Sequence, residues 1–162
     1  MMSMRTVHAF LFSLGTLIAV RSAHAQVGPF TPERSFFADE KNVQLNAPEG
    51  VACSESGMFI VADSGNHRLV RYDYDGRMFS GGTEIVVPEI PYPTRVQLDA
   101  QGHIVVLDQR TRRVVQLDPK GAFQAFLDVK GAPPPAKIAP VAFRVDGSGQ
   151  LFLLDLAGRR VI

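Results

Sequence analysis

Residues 48–76 read PEGVACSESGMFIVADSGNHRLVRYDYDG, and residues 93–121 read PTRVQLDAQGHIVVLDQRTRRVVQLDPKG. The second stretch follows the first by 45 residues without a gap, and six residues recur: Pro48, Gly57, Asp63, Arg68, Asp73 and Gly76 become Pro93, Gly102, Asp108, Arg113, Asp118 and Gly121. A further shift of 47 places four of them again, as Pro140, Gly149, Asp155 and Arg160. A fixed period in the forties, with short apolar runs and glycines, is the sequence signature of stacked or radial repeats.

Apolar residues within each copy predict four short antiparallel strands, here called a, b, c and d. Strand a alternates in polarity, which is the two-residue period of a strand. Strand b is apolar on both faces in all copies (MFIVA, IVVL and LFLL), so it must be covered on both sides. Strand c begins at the recurrent arginine, and turns at 73–76 and 118–121 lead to a weaker strand d. Four strands in a repeat of this length describe one propeller blade.

The run VADSGNHRLVRYDYDG, residues 61–76, resembles the NHL repeat, in which a strand ending in Asp meets an Asn-His-Arg turn and a strand ending in Asp-x-x-Gly. The second copy has Thr111 and Arg112 where the first has Asn66 and His67. The resemblance is to secreted, bacterial-type NHL-repeat proteins and covers most of the chain after residue 47. It implies an all-β fold of four-stranded antiparallel blades. The sequence supplies about two and a half blades, whereas closed propellers have about four to eight.

Residues 1–25 are predicted to be a signal peptide. Arg5 precedes the apolar core AFLFSLGTLIAV, residues 9–20, and a small-x-small cleavage sequence follows at 23–25. A membrane anchor needs about 18 to 25 apolar residues, and this core is shorter. We therefore expect an exported chain, periplasmic or extracellular, that begins near Gln26 and has no membrane span after cleavage.

The charge and the single cysteine restrict the classes of partner. Residues 1–25 hold two of the 17 basic residues and no acidic one, so the remaining chain, with 16 acidic residues, has a net charge of about −1. This charge disfavours nucleic acid as a partner. Cys53 stands where the other copies have Leu98 and Val145. This correspondence favours a buried, structural thiol over a reactive one.

Three segments follow the predicted signal peptide in this interpretation. Residues 26–47 carry an outer strand of a preceding or closing blade, because SFFADE, residues 35–40, lies ahead of Pro48 much as AFLDVK lies ahead of Pro140. Residues 48–162 form the NHL-like repeats, divided as 48–92, 93–139 and a shortened 140–162. The sequence therefore looks like part of a longer protein. An open stack of three sheets and self-association through the open sheet edge are the alternatives.

The recurrent Asp and Arg are interpreted as a structural clamp. Asp closes strand b and Arg opens strand c five residues later, so a carboxylate and a planar guanidinium face each other across the turn. A scaffold residue recurs in every blade, whereas a catalytic residue is usually singular. The three predicted clamps are Asp63 with Arg68, Asp108 with Arg113, and Asp155 with Arg160.

The function predicted from these features is binding or scaffolding of a protein or small-molecule partner by loops on one rim of the blades. The candidate contact residues lie in the b-to-c turns: Asn66, His67, Arg110, Arg112 and Arg159. The alternative is the N-terminal part of a metal-dependent propeller enzyme, since related propellers include lyases and lactonases that hold zinc or calcium. No catalytic group, metal site or cofactor is identified, because two isolated histidines, His67 and His103, do not make a zinc site.

Overall fold

Three antiparallel sheets form where the repeats predict them. The computed structural model describes residues 35–131 and 138–162, so the predicted signal peptide lies outside the described residues. The strands are β1 (Pro48–Cys53), β2 (Met58–Asp63), β3 (Arg68–Tyr74) and β4 (Phe79–Ile85), then β5 (Pro93–Leu98), β6 (Ile104–Asp108), β7 (Arg113–Leu117) and β8 (Phe123–Phe126), and finally β9 (Pro140–Val145), β10 (Leu151–Asp155) and β11 (Arg160–Val161). The first two sheets have four strands in chain order, and the third has three. The prediction of partial propeller blades is confirmed.

Tight turns join the first two strands of each sheet. In the first sheet, Gly57 adopts φ +87°, and a Cβ atom there would lie 2.0 Å from the carbonyl oxygen of Tyr74. Only glycine fits this position. Ser54 accepts a hydrogen bond from the N–H of Met58 at 3.0 Å, and Asp99 and Asp146 accept equivalent bonds from His103 and Gln150.

The sheets stack face to face, and each has a front face toward the preceding sheet and a rear face toward the next one. The rear face of the first sheet, with Ile60, Ala62 and Leu69, packs in one buried cluster with the front face of the second. The front-face residues in that cluster include Val96, Leu98, Ile104, Val106, Val115 and Leu117. Strand b is buried on both sides in the second sheet, as expected, since all five residues of β6 are buried.

A second buried cluster joins the second and third sheets. The rear face of the second sheet, with Val105, Leu107 and Val114, packs against Val145 and Leu153 of the third. The stacking is therefore repeated once within the chain, with equivalent residues at each step. The apolar side chains of the middle strands are buried between the sheets. Removal of this apolar surface from water is the main stabilising contribution in such stacks.

The expected burial of Cys53 is wrong. Cys53 is exposed, and its neighbour on the same face, Val51, is 64% exposed. Both lie on the front face of the first sheet, because Cys53 pairs with Phe59 and Val51 with Val61 across β1 and β2. Leu98, the equivalent residue, is covered by the preceding sheet, whereas no described sheet precedes Cys53.

Residues 35–40 are assigned no strand in this structure, and the outer strand of a preceding or closing blade expected there stays a prediction. They make one isolated bridge, between Ala38 and Gln44, and a turn at Asp39, whose carboxylate accepts hydrogen bonds from the N–H groups of Lys41 and Val43. The segment instead covers the outer part of the first sheet, where Phe36 packs on Tyr72 with ring centroids 4.3 Å apart. None of the described residues belongs to a helix long and apolar enough to cross a membrane.

Candidate functional site

The recurrent aspartate at the end of strand b organises the beginning of strand a in each sheet. Asp63 accepts a hydrogen bond from the N–H of Asn46 at 2.7 Å, and Asp155 accepts one from Ala139 at 2.9 Å. Asp108 accepts one from the N–H of Tyr92 and a second from Thr111 at 2.6 Å. All three carboxylates are at most 1% exposed. These hydrogen bonds join the segment before strand a to the b-to-c turn. The buried carboxylates are therefore part of the scaffold and are not candidates for ligand binding.

Arg68 is the centre of a buried ion-pair network. Its Nε donates to Asp63 at 2.8 Å, and its Nη1 donates to Asp39 at 2.6 Å and to Glu84 at 3.2 Å. Burial lowers the pKa of Arg68, but the hydrogen bonds to Asp63 and Asp39 outweigh it, so the pKa is raised. The guanidinium therefore stays charged and holds residues 39–43 on the first sheet.

The arginines of the other two repeats have different partners. In the second repeat the expected clamp does not form, because Arg113 donates to both oxygens of Asp128 at 3.0 and 2.5 Å. The carboxylate of Asp108 is occupied by backbone donors, and Asp128, which follows β8, offers a two-pronged partner. In the third repeat Arg160 donates to Asp155 at 3.0 Å.

The candidate contact residues occupy one rim, at the end of the sheets where β2, β6 and β10 turn into the following strand. His67, Arg112 and Arg159 stand at the same turn position in the three repeats, and all three are exposed. Each has a left-handed backbone conformation, with φ of 59°, 57° and 50°. A non-glycine residue in this conformation costs about 1–2 kcal/mol. The three turns therefore present their side chains in the same backbone geometry.

The candidates at this rim differ in whether their side chains already bond to the rest of the sheet. Asn66 donates to the carbonyl oxygen of Gln44 and to Asp63, both at 2.8 Å, so its side chain belongs to the turn. Arg110 is exposed, and within the described residues its guanidinium forms no hydrogen bond or ion pair, as is also true of Arg112 and Arg159. The ring centroids of His67 and Tyr92 are 5.9 Å apart. Among the described residues, the rim thus presents three guanidiniums without a hydrogen-bond or ion-pair partner, and one imidazole.

The opposite end of the sheets has a cleft of about 700 Å³. The a-to-b turns of all three sheets line it, with Glu55, Asp99 and Asp146 as its acidic residues. Sequence reasoning did not identify this cleft, although the Ser or Asp four residues before each strand b is the signal for these turns: Ser54, Asp99 and Asp146.

The carboxylates of the cleft are structural. Asp146 accepts hydrogen bonds from the N–H and the hydroxyl of Ser148 at 2.8 and 2.7 Å. Burial raises the pKa of Asp99, but hydrogen bonds with the ring and the N–H of His103 hold it below its ordinary value. The Nδ1 of His103 lies 2.8 Å from this carboxylate, so His103 supports its own turn.

The described residues by themselves assemble no site for the zinc or calcium ion of the enzyme alternative. Within residues 35–131 and 138–162 there is no group of three or more His, Cys, Asp or Glu side chains that could hold a metal ion. The two turn carboxylates at the cleft are already bonded to backbone donors. A structural or catalytic zinc site needs at least about three protein ligands.

A family comparison decides how these sheets are classified. The model of the NHL repeat matches residues 45–72, which run from the connecting segment through most of β3. Residues 45–72 therefore contain an NHL repeat, within a chain built from propeller blades. None of the curated proteins compared with this chain matches it.

Solved structures support the propeller fold of this chain. A streptogramin B lyase has a TM-score of 0.55 at 17% identity, with 72% of this chain and 36% of the lyase covered. Virginiamycin B lyase from Staphylococcus aureus has a TM-score of 0.56 at 17% identity, with 73% and 38% covered. Hydrazine synthase from Kuenenia stuttgartiensis has a TM-score of 0.50 at 11% identity, with 82% and 38% covered. The chain therefore spans less than two fifths of these proteins, and the likeness concerns the fold.

Proposed function

We propose that the chain is an exported binding module that holds an acidic protein segment on the rim of its b-to-c turns. The observation that carries this proposal is the repeated turn position of His67, Arg112 and Arg159, which presents exposed side chains from three blades in one backbone conformation. The exported location rests on the predicted signal peptide alone.

The chemistry of the rim favours carboxylates. A guanidinium offers a planar fork of donors that matches a carboxylate in a two-pronged manner. The chain itself uses this geometry between Arg113 and Asp128. Arg110, Arg112 and Arg159 have no such partner among the described residues, so their donors are open to a ligand. Glu49 is the nearby opposing charge, and it accepts a hydrogen bond from the hydroxyl of Tyr92 at 3.2 Å.

The arrangement of turns favours an extended partner. Each b-to-c turn belongs to a different sheet, and the sheets stack face to face, so the three turns follow one another along the rim. A segment with several carboxylates can therefore contact more than one blade. Rigid strands that display loops along one rim are a common design for binding surfaces in repeat proteins.

A binding titration with a labelled peptide tests this function. The probe is a fluorescein-labelled peptide rich in glutamate, and the control is a peptide of the same length with glutamine in place of glutamate. Fluorescence anisotropy should show binding of the glutamate peptide alone. The affinity should fall between 0.05 and 0.5 M salt, over which the screening length shrinks from about 14 to about 4 Å. Equal binding of both peptides, or no binding of either, would refute the proposal.

The second candidate function is a propeller enzyme of the lyase type. The likeness to streptogramin B and virginiamycin B lyases favours it, and a catalytically inactive variant of the latter was crystallised with quinupristin. Incubation of the purified chain with quinupristin, followed by mass spectrometry, tests this candidate. Consumption of quinupristin above a blank would favour the enzyme, and an unchanged compound would favour the binding module.

A further inference from the structure

The rear face of the third sheet carries apolar residues that are buried in both other sheets. Phe152, Leu154 and Val161 are 41%, 47% and 66% exposed. Their repeat equivalents in the first sheet are Ile60, Ala62 and Leu69, and in the second Val105, Leu107 and Val114; all six are at most 2% exposed. Across the third sheet, Leu154 pairs with Ala142 and with Val161, so these side chains form one continuous patch.

The front face of the first sheet is the matching surface. Six residues of this face stand at the repeat positions of front-face residues that cover the rear face of the first sheet: Val51, Cys53, Phe59, Val61, Val70 and Tyr72. The chain's own Phe36 and Leu45 already pack against Val61, Val70 and Tyr72, at the outer part of the face. Val51 and Cys53, at its inner part, are exposed. The residues before β1 already occupy the position that the repeat predicts. Leu45 packs on the front face of the first sheet, and its repeat equivalent Ile90 packs on the front face of the second.

We propose that a second copy of the chain docks the front face of its first sheet on the rear face of the third sheet, head to tail. The contact continues the two sheet-to-sheet interfaces that the chain makes internally, with the same repeat positions on each side. Two such contacts, related by a two-fold axis, close two copies into a ring of six sheets. This number lies within the range of about four to eight blades found in closed propellers.

A polar residue at the rear face also fits this arrangement. Gln97 links the second sheet to the third by bonding the N–H and the carbonyl oxygen of Val145, at 2.9 and 2.6 Å. Arg144 stands 47 residues later at the same repeat position and is exposed. Cys53 is the repeat equivalent of Val145. In the ring, Arg144 donates to the backbone carbonyl oxygen of Cys53 in the second copy.

Three arginine substitutions test the two faces. Leu154→Arg alters the rear face and Val51→Arg the front face, and Val86→Arg is the control, since Val86 is as exposed as Val51, at 64%, and lies on the connector after β4. Sedimentation velocity should give the mass of a dimer for the unaltered chain and for Val86→Arg. Each face variant should weaken dimerisation at least about tenfold, because an unpaired charge would be buried.

Mixing the two face variants separates a head-to-tail contact from a symmetric one. In a mixed dimer one interface combines two unaltered faces, so Leu154→Arg and Val51→Arg together should associate more tightly than either alone. In a rear-to-rear dimer, Val51→Arg would leave the association unchanged, and mixing the two variants would not restore it. This result would overturn the proposal. The circular dichroism of each variant must match that of the unaltered chain.

Labelling of Cys53 gives a readout that does not depend on substitutions. The thiol should react with a maleimide rapidly in dilute solution and at least about tenfold more slowly at concentrations where the dimer forms, because the second copy covers it. A folded chain that stays monomeric, with labelling independent of concentration, overturns the proposal and leaves the rear face to a further sheet of a longer protein.

Discussion

The carboxylate of Asp108 accepts a hydrogen bond from the backbone N–H of Tyr92, the residue that precedes β5. Asp63 and Asp155 make the same kind of bond to Asn46 and Ala139, ahead of β1 and β9. The aspartate of the repeat thus acts mainly on the backbone, and its bond to an arginine is an addition that only some repeats have. This role explains why the aspartate recurs although the arginine changes partners.

Loss of the buried Asp63 carboxylate should strongly destabilise the chain. Asp63→Ala leaves the N–H of Asn46 without its acceptor and removes one of the buried partners of Arg68. We expect the free energy of unfolding in urea to fall by about 3–5 kcal/mol, as for a broken buried ion pair. Asp128→Ala, which breaks the exposed pair with Arg113, is the control and should cost no more than about 1 kcal/mol. Equal effects of the two substitutions would show that Asp63 is not a buried anchor.

Two glycines at the same repeat position should differ in their tolerance of alanine. A Cβ atom at Gly57 would lie 2.0 Å from the carbonyl oxygen of Tyr74, whereas a Cβ at Gly149 would meet no atom within 4 Å. Gly57→Ala should therefore lower the free energy of unfolding by about 3 kcal/mol or more, from overpacking and backbone strain. Gly149→Ala carries the backbone cost alone, about 1–2 kcal/mol. Thermal unfolding followed by circular dichroism measures both, and a larger cost for Gly149→Ala would contradict the account.

The turn carboxylate of Asp118 should make stability depend on acid pH. Its pKa lies below the ordinary value of 3.8 because the N–H of Ala122 donates to it; partial burial opposes the shift, and the N–H of Lys120 adds to it. A lowered folded-state pKa stabilises the chain above the unfolded-state pKa, and this contribution is lost as the pH falls through the folded-state pKa. The difference in urea midpoint between the unaltered chain and Asp118→Asn should therefore shrink from pH 6 to pH 3. A difference that is constant with pH would show that the carboxylate is not stabilised in its charged form.

The single thiol should be reactive in the folded chain. Cys53 is exposed on the front face of the first sheet, so a maleimide should modify it in dilute solution about as fast as in urea. Mass spectrometry of the intact chain follows the reaction. Modification that needs urea would mean that residues outside the described ranges, or a partner, cover this face.

The period of the repeat predicted the number and place of the strands because a blade is a local unit. Glycine turns and apolar runs act within about 30 residues, and each copy repeats the same code. The exposure of Cys53 could not be predicted in this way, since it depends on whether another sheet stacks on the front face. A repeat position defines which face a side chain occupies, and only the neighbour decides whether that face is covered.

The partners of the arginines were likewise not encoded in the repeat. Arg113 pairs with Asp128 and not with Asp108, because both carboxylate oxygens of Asp128, which follows β8, can accept from the guanidinium. At Asp39 the carboxylate accepts hydrogen bonds from Arg68 and from the N–H groups of Lys41 and Val43, a turn that the repeat pattern did not predict. The pairs Arg113–Asp128 and Arg68–Asp39 join side chains 15 and 29 residues apart, which a short motif does not contain.

The binding of a glutamate-rich peptide by the variant Arg112→Ala/Arg159→Ala tests the proposed function most directly. Each guanidinium of an exposed pair contributes up to about 1 kcal/mol, so the double variant should bind the peptide about tenfold more weakly with an unchanged melting temperature. Arg77→Ala, at an exposed arginine in the c-to-d turn of the opposite end, is the control and should bind as the unaltered chain does. Unchanged affinity in the double variant, or an equal loss in Arg77→Ala, would contradict the assignment of the b-to-c rim as the binding surface.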